Sequence, residues 1–238
     1  MRIYAAYSHK GGTGKTTSLV LLANAIAARG HSALLLDSDP QQNFRMWRNY
    51  GRQMEVWDEN LTVEYRDYET TPVMELEDFL VNANDSGKYD YALLNLPGIP
   101  HRFNQHALRY AELTLLPFRP TPAELAEMGP ALNAIEKLKD DGEVGAARVL
   151  FTMIKAESKI PEVWRDYMSE ARRRFPCMET IIRDSTIFSD ILMRGTLHLN
   201  IKKNNGLGKY EVSKALEICD ALLTECEAIV AQHEEENS

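Results

Sequence analysis

Two lysines five residues apart, Lys10 and Lys15, lie among glycines in the stretch His9–Thr17, HKGGTGKTT. Gly11, Gly12 and Gly14 let the backbone approach an anion closely, and the N–H groups of a glycine-rich turn that opens a helix converge on one spot. Such a spot suits a triphosphate. Lys15 is spaced to reach the β and γ phosphates, Thr16 to offer a hydroxyl to Mg²⁺, and Thr13 and Thr17 fall within the same cradle. The spacing departs from the general pattern G-x-x-x-x-G-K-[ST], because His9 stands where the first glycine would be. Further on, LLLDSDPQQN closes an apolar run with two carboxylates, Asp37 and Asp39, and YDYALLNLPG closes another with an amide, Asn95.

These groups need a scaffold that gathers strand ends. RIYAAYS reads as a first strand, and KTTSLVLLANAIAARG as a helix, with Leu19, Leu22, Ala23 and Ile26 at helical spacing and Gly30 as its stop. SALLLDSDP is a continuously apolar strand, as in a parallel sheet covered on both faces. Between Gln42 and Gly87, FRMWRNY predicts a helix, VEYRD a short strand, and TPVMELEDFLVNAN a helix with Pro72 near its first turn. YDYALLNLPG and AELTLLPFRPTP predict strands separated by a helix around RFNQHALRY. PAELAEMGPALNAIEKLKD then predicts a helix, ARVLFTMIK a strand and PEVWRDYMSEARRRF a helix. Apolar residues from Val212 to Val230 line one face of a closing helix, with residues 231–238 expected to fray beyond it. The alternation predicts an α/β fold with a doubly wound, mostly parallel sheet flanked by helices on both faces, one domain over 1–238, and ligands at the carboxyl ends of the strands.

A chain of 238 residues with 44% hydrophobic composition can bury roughly 70 to 75% of its unfolded surface, as one good-sized domain does. Its apolar runs fall far short of the roughly 20 residues that cross a bilayer, and its start lacks a secretory pattern, so a cytoplasmic protein without membrane insertion is expected. Cys177, Cys219 and Cys226 have neither disulfide nor metal spacing and read as core or free thiols. With a net charge of −8, any nucleic-acid contact must come from a local patch.

The run K-G-G-x-G-K-T resembles the deviant P-loop of the partition and positioning ATPases, the ParA and MinD family, and LLLDSDPQQN is similar to that family's Asp-x-Asp-Pro strand end. The resemblance implies bound ATP and Mg²⁺, a homodimer that forms on ATP binding, and Lys10 reaching the nucleotide of the partner subunit. It also assigns Asp39 to orienting the attacking water and arranging Mg²⁺, and Asp37 to supporting the metal's water shell. Asn95 occupies a position where the family usually has aspartate; an amide can accept a hydrogen bond from a metal-bound water but adds no charge. Slow, partner-stimulated hydrolysis is the expectation. Asp90 sits at the wrong end of its strand to substitute. LTLLPFRPTPAEL resembles the family's proline-rich segment beside the nucleotide. More narrowly, MWRNY, VWD, YDYAL and ILMRGTLHLNI resemble the VirC branch, accessory ATPases of T-DNA and conjugative transfer.

Positive charge gathers at Arg172–Arg174 and in MRGTLHLNIKKNNGLGK. Arg172, Arg173 and Arg174 suit a helix end as well as a ligand. Arg194, Lys202 and Lys203, expected in a loop, are the candidates for DNA, which an ATP-state dimer would bind with a doubled patch. The leading reading is a ParA-like ATPase acting in DNA partition or in recruiting a transfer complex, with a partition, adaptor or transfer-complex protein as partner, and nucleoid or plasmid association possible within the cytoplasm. Alternatives are an adaptor that positions a protein cargo without DNA, and a metabolic P-loop enzyme. A reductase of the iron-protein type would need cluster cysteines before the tail, where only Cys177 is present. The acidic end CEAIVAQHEEENS disfavours anionic lipid.

Overall fold

The computed structural model describes residues 1–139 and 144–237. Six parallel strands form one sheet: β1 (Arg2–Ala6), β2 (Ala33–Asp37), β3 (Leu61–Tyr65), β4 (Tyr91–Asn95), β5 (Leu113–Phe118) and β6 (Ala146–Phe151), in the order β3-β2-β4-β1-β5-β6. β2, β4 and β5 are buried at every position. That is why they read as unbroken apolar runs rather than alternating ones.

Because successive side chains of a strand point to opposite faces, each strand feeds two cores. Tyr4, Ala6, Leu35 and Leu93 face one, with α1 (Lys15–Ala28), α2 (Asn43–Gln53), α8 (Leu197–Lys203) and α9 (Gly206–Glu236) packed over that side. Ile3, Ala5, Leu34, Leu36 and Leu94 face the other, under α3 (Val73–Asp85), α4 (Arg102–Arg109), α5 (Pro122–Lys139) and α6 (Glu162–Arg174). A four-residue helix, α7 (Thr186–Ser189), lies between α6 and α8. The doubly wound arrangement expected from the sequence is therefore present. The single domain expected over 1–238 includes residues 140–143 and 238, which lie outside the described residues.

α1 carries the phosphate-loop candidate into the core. Every residue from Ser18 to Ala27 is buried, because the helix is enclosed between the sheet and α8 and α9. Arg29, just past its end, donates to Asp220 at 2.7 Å and to Glu227 at 2.9 Å, tying α1 to α9. Cys219 and Cys226 are buried beside Leu222 and Leu223 as core thiols. The expected fraying from residue 231 is corrected: the helix runs on to Glu236, and Glu234 pairs with Arg2 at the start of β1. Its glutamates look solvated in sequence, but one of them has a cationic partner 232 residues away. Among the described residues no helix is long and apolar enough to cross a membrane.

Candidate functional site

The register of the sheet aligns the carboxyl ends that carry the candidate groups. Asn95 pairs with Asp37 across β4 and β2, and with Ala6 across β4 and β1. Ala6 ends the strand that delivers the glycine-rich loop. Gly14 sits at φ +105° immediately before α1, with the side chain of Thr152 pressed against it: a Cβ there would come within 3.2 Å of Thr152 Cβ and Oγ1. Only glycine fits both the backbone angle and the space. Thr152 Oγ1 also donates to the Thr13 carbonyl at 2.8 Å, and Ser8 Oγ bonds the Lys10 carbonyl at 2.7 Å and Thr13 Oγ1 at 3.0 Å. Gly11 and Gly12 form the exposed tip.

Lys15 is 5% exposed. Its Nζ donates to the Lys10 carbonyl at 3.1 Å and to Ser8 Oγ at 3.4 Å, both neutral acceptors. Burial lowers its pKa, and the fields of Asp39 and Glu124 partly oppose that fall. A buried ammonium whose contacts are neutral is costly alone and becomes favourable when an anion arrives. Lys10 behaves differently. Its side chain is 40% exposed and lies along the start of α5, with Nζ 3.8 Å from Glu127 and 3.4 Å from the Ala123 carbonyl. His9 Nδ1 is 3.7 Å from the same Glu127.

On the other side of the loop, Thr16 Oγ1 donates to Asn95 Oδ1 at 3.3 Å, and Asn95 Nδ2 donates to Asp37 Oδ1 at 2.8 Å. Asp37 is fully buried and also accepts from the Phe44 N–H at 2.9 Å and the Asp39 N–H at 3.3 Å. Burial pushes its carboxyl up to about 6 despite those three donors. Asp39 is half-buried, and its Oδ1 accepts from Gln41 N–H at 3.0 Å. The hydroxyl, amide oxygen and carboxylates are hard oxygen donors at one edge, and the Asn95 oxygen already faces Thr16; this set fits Mg²⁺ held jointly with phosphate oxygens. Asp90 lies before β4 at the opposite end and is bonded to Ser32.

A cavity of about 240 Å³ opens beside Gly14 and Thr17, lined further by Arg119, Thr152, Trp164, Arg183 and Phe188. The sequence reading did not find these residues, nor Ser8, Gly98, Glu127 or Thr152 around the loop. Gly98 left a trace in the LPG that follows β4, and Arg119 in LTLLPFRPTPAEL, which resembles the ParA and MinD family's segment beside the nucleotide.

Of the DNA candidates, Arg194 lies in the connection before α8, as expected, whereas the two lysines do not sit in a loop. Lys202 and Lys203 end α8, because Leu197 and Ile201 pack into the core and Asn24 of α1 caps the helix start by accepting from the Leu197 N–H at 2.6 Å. Lys203 Nζ donates to the Met54 carbonyl at 2.6 Å and pairs with Glu55 at 3.3 Å, and Arg194 lies 3.7 Å from Asp190. Lys202 is exposed, near enough to His198 to help lower its pKa, which burial chiefly depresses. Arg172 pairs with Glu179 and Arg174 with Glu170, while Arg173 is exposed.

Known proteins resemble this chain in sequence and in fold. "Protein virC1" of Rhizobium radiobacter is 27% identical over 201 residues, 84% of each chain. "Protein ParA" of the same species is 26% identical over 219 residues, 90% of this chain and 94% of the relative. In structure, an ATP complex of a Cyanothece McdA variant superposes with a TM-score of 0.66 at 15% identity, covering 94% of this chain and 96% of that one. The family model described as VirC1 protein matches residues 1–230, and the chain therefore belongs to the VirC1 family.

Proposed function

We propose that the chain is a ParA-like ATPase whose ATP-dependent dimerisation switches binding of DNA and of a partner protein, in DNA partition or in recruiting a DNA-transfer complex. The observation that carries this reading is Lys15: a buried cation in a glycine-rich loop whose hydrogen bonds among the described residues go to neutral acceptors. The phosphates rest on the N–H groups of Gly11–Thr17, with Lys15 on the β and γ groups. The base and ribose lie toward the cavity beside Thr17. Thr16, Asp37 and Asp39 would hold Mg²⁺, and Asn95 could accept a hydrogen bond from a metal-bound water; when bound, the metal would neutralise charge on the phosphates. Asp39 orients the attacking water, and positioning of this kind is the main protein contribution to phosphoryl transfer. Hydrolysis is slow, because Asn95 brings no charge to the metal.

Lys10 acts between subunits, as the family resemblance implies. Its side chain leaves its own loop and rests at the surface on Glu127 and the Ala123 carbonyl, both long and weak contacts, so that little holds it from a second copy's terminal phosphate. Arg194, Lys202 and Lys203 of two protomers then form one DNA-facing patch. Sedimentation with Mg²⁺ and a non-hydrolysable ATP analogue tests the switch: the wild type is expected to dimerise and Lys10→Ala to stay monomeric. A monomeric wild type in saturating analogue would overturn it. Fluorescence polarisation on DNA with ATP, ADP or no nucleotide separates this reading from a cargo adaptor that needs no DNA.

A further inference from the structure

The corner at Asn204–Asn205, where α8 gives way to α9, presents large apolar side chains to solvent. Leu207 is 73% exposed and Tyr210 60%. Three residues apart in the first turns of α9, they are neighbours on one face of the helix. Lys214, one turn further on, holds its Nζ 5.8 Å from the centre of the Tyr210 ring while pairing with Glu217 at 2.8 Å. The core takes Val212, Ala215 and Cys219 from the other side of the same helix. Lys202, Lys203 and Lys209 are exposed in this stretch, and Glu211 is the one carboxylate between Lys202 and Glu211. Lys203 already has Glu55 as a partner. Asn204 is engaged with Asn200, its Nδ2 at 2.9 Å from the carbonyl and 2.6 Å from Oδ1, whereas Asn205 makes no side-chain cap on α9.

Two apolar side chains set among lysines do not make the centre of a protein–protein interface, where lysine is depleted. Nor do they make a lipid-inserting face, which needs a long apolar stripe; the stripe of α9 is already in the core. They have the form of a short wedge with phosphate-binding cations beside it. We propose that Leu207 and Tyr210 enter the minor groove of duplex DNA and part a base step, bending the duplex, while Lys202 and Lys209 hold the neighbouring phosphates. This rests on the DNA reading above and adds to it the groove, the distortion and the two residues that cause it. The free amide of Asn205 donates to the acceptors on the floor of an A·T-rich groove. A pyrimidine–purine step such as TA parts at the least cost, so preference among sequences comes from deformability rather than from base-edge contacts.

The test uses the full chain with Mg²⁺ and a non-hydrolysable ATP analogue, and a duplex of roughly 25 base pairs with dyes at its two ends and a fluorescent adenine analogue in a central TA step. The wild type is expected to raise energy transfer between the ends and to brighten the adenine analogue as the step unstacks. The double variant Leu207→Ala, Tyr210→Ala is expected to bind about tenfold more weakly with the same salt slope, and to produce neither signal. Lys202→Ala shows the converse, a shallower salt slope with the bend retained once bound. Wild-type binding without a bend overturns the proposal and needs no variant to fold. A double variant that bends DNA as the wild type does also overturns it, as does a loss confined to binding of phosphatidylglycerol vesicles. A wild type that binds no duplex in any nucleotide state sinks the DNA reading itself, a result distinct from binding without distortion.

Discussion

The phosphate-loop edge of the sheet and the basic segment around Arg194–Lys203 both present cations, but they hold them in opposite ways. Lys15 is buried against neutral oxygens, whereas the exposed Lys203 sits beside the Glu55 carboxylate of its own chain, with half-buried Arg194 3.7 Å from Asp190 between these extremes. A desolvated cation hydrogen-bonded to neutral groups has much to gain from an anion; a solvated, paired one such as Lys203 must first surrender its partner and gains little. Density of positive charge in a sequence is therefore a poor guide to where an anion binds. Desolvation and prior pairing decide it.

The largest effect that would break this contrast is at Lys15. Lys15→Ala is expected to weaken ATP binding by about 100-fold or more, the scale of losing a charge-assisted contact in a desolvated site, while circular dichroism shows an intact fold. A loss under threefold by titration would remove the contrast.

Next comes Asn95→Asp, which sharpens it by placing a carboxylate 2.8 Å from one that is already buried. Two carboxylates that close cannot both ionise cheaply. Without Mg²⁺, the variant is expected to melt several degrees below wild type at pH 7.5, on the order of 2 kcal/mol. The sign follows from Asp37, whose folded-state carboxyl is raised to about 6. A carboxyl raised on folding binds its proton more tightly in the folded chain, so its unfavourable contribution is full above pH 6 and disappears as pH falls toward 4. The second carboxylate strengthens that trend, and the deficit in Tm should shrink with acid and with added Mg²⁺. A deficit independent of both would show that Asn95 and Asp37 are not coupled.

The smallest effect is expected in the basic segment. Lys202→Ala should reduce the slope of log K for DNA against log salt by about one per protomer. Lys203→Ala, whose ammonium already has Glu55 and the Met54 carbonyl, should change it by less. Fluorescence polarisation at four salt concentrations reads both, and a larger change from Lys203 would reverse the ranking.

Much of the scaffold was legible in sequence because it is written in local pattern. Apolar runs gave the strands, helical spacing gave α1 and α9, and the glycine spacing gave the loop before α1. Two elements were misread where polar residues masked a distant contact. The acidic end of α9 continues as helix with Arg2 beside Glu234, and LHLNIKK is helical because Asn24, 173 residues away, caps it and the core takes Leu197. The site was legible in part for the same reason. Lys15 and Thr16 could be named from spacing, and Asp37 and Asp39 from their strand end and the family resemblance, while Thr152 and Gly98 matter through close approach between separate segments, which spacing does not encode.

By itself the sequence determined which groups are available to phosphate and metal and the order of strands and helices that carries them, since periodicity and loop chemistry are properties of neighbouring residues. Tertiary structure alone decided that Asn95 joins Thr16 to Asp37 across 79 and 58 residues of chain, that Lys15 is dry, and that Lys10 rests on α5. Those outcomes depend on the parallel register and on which surfaces the helices cover, because burial and pairing are set by the whole packed sheet rather than by any one segment.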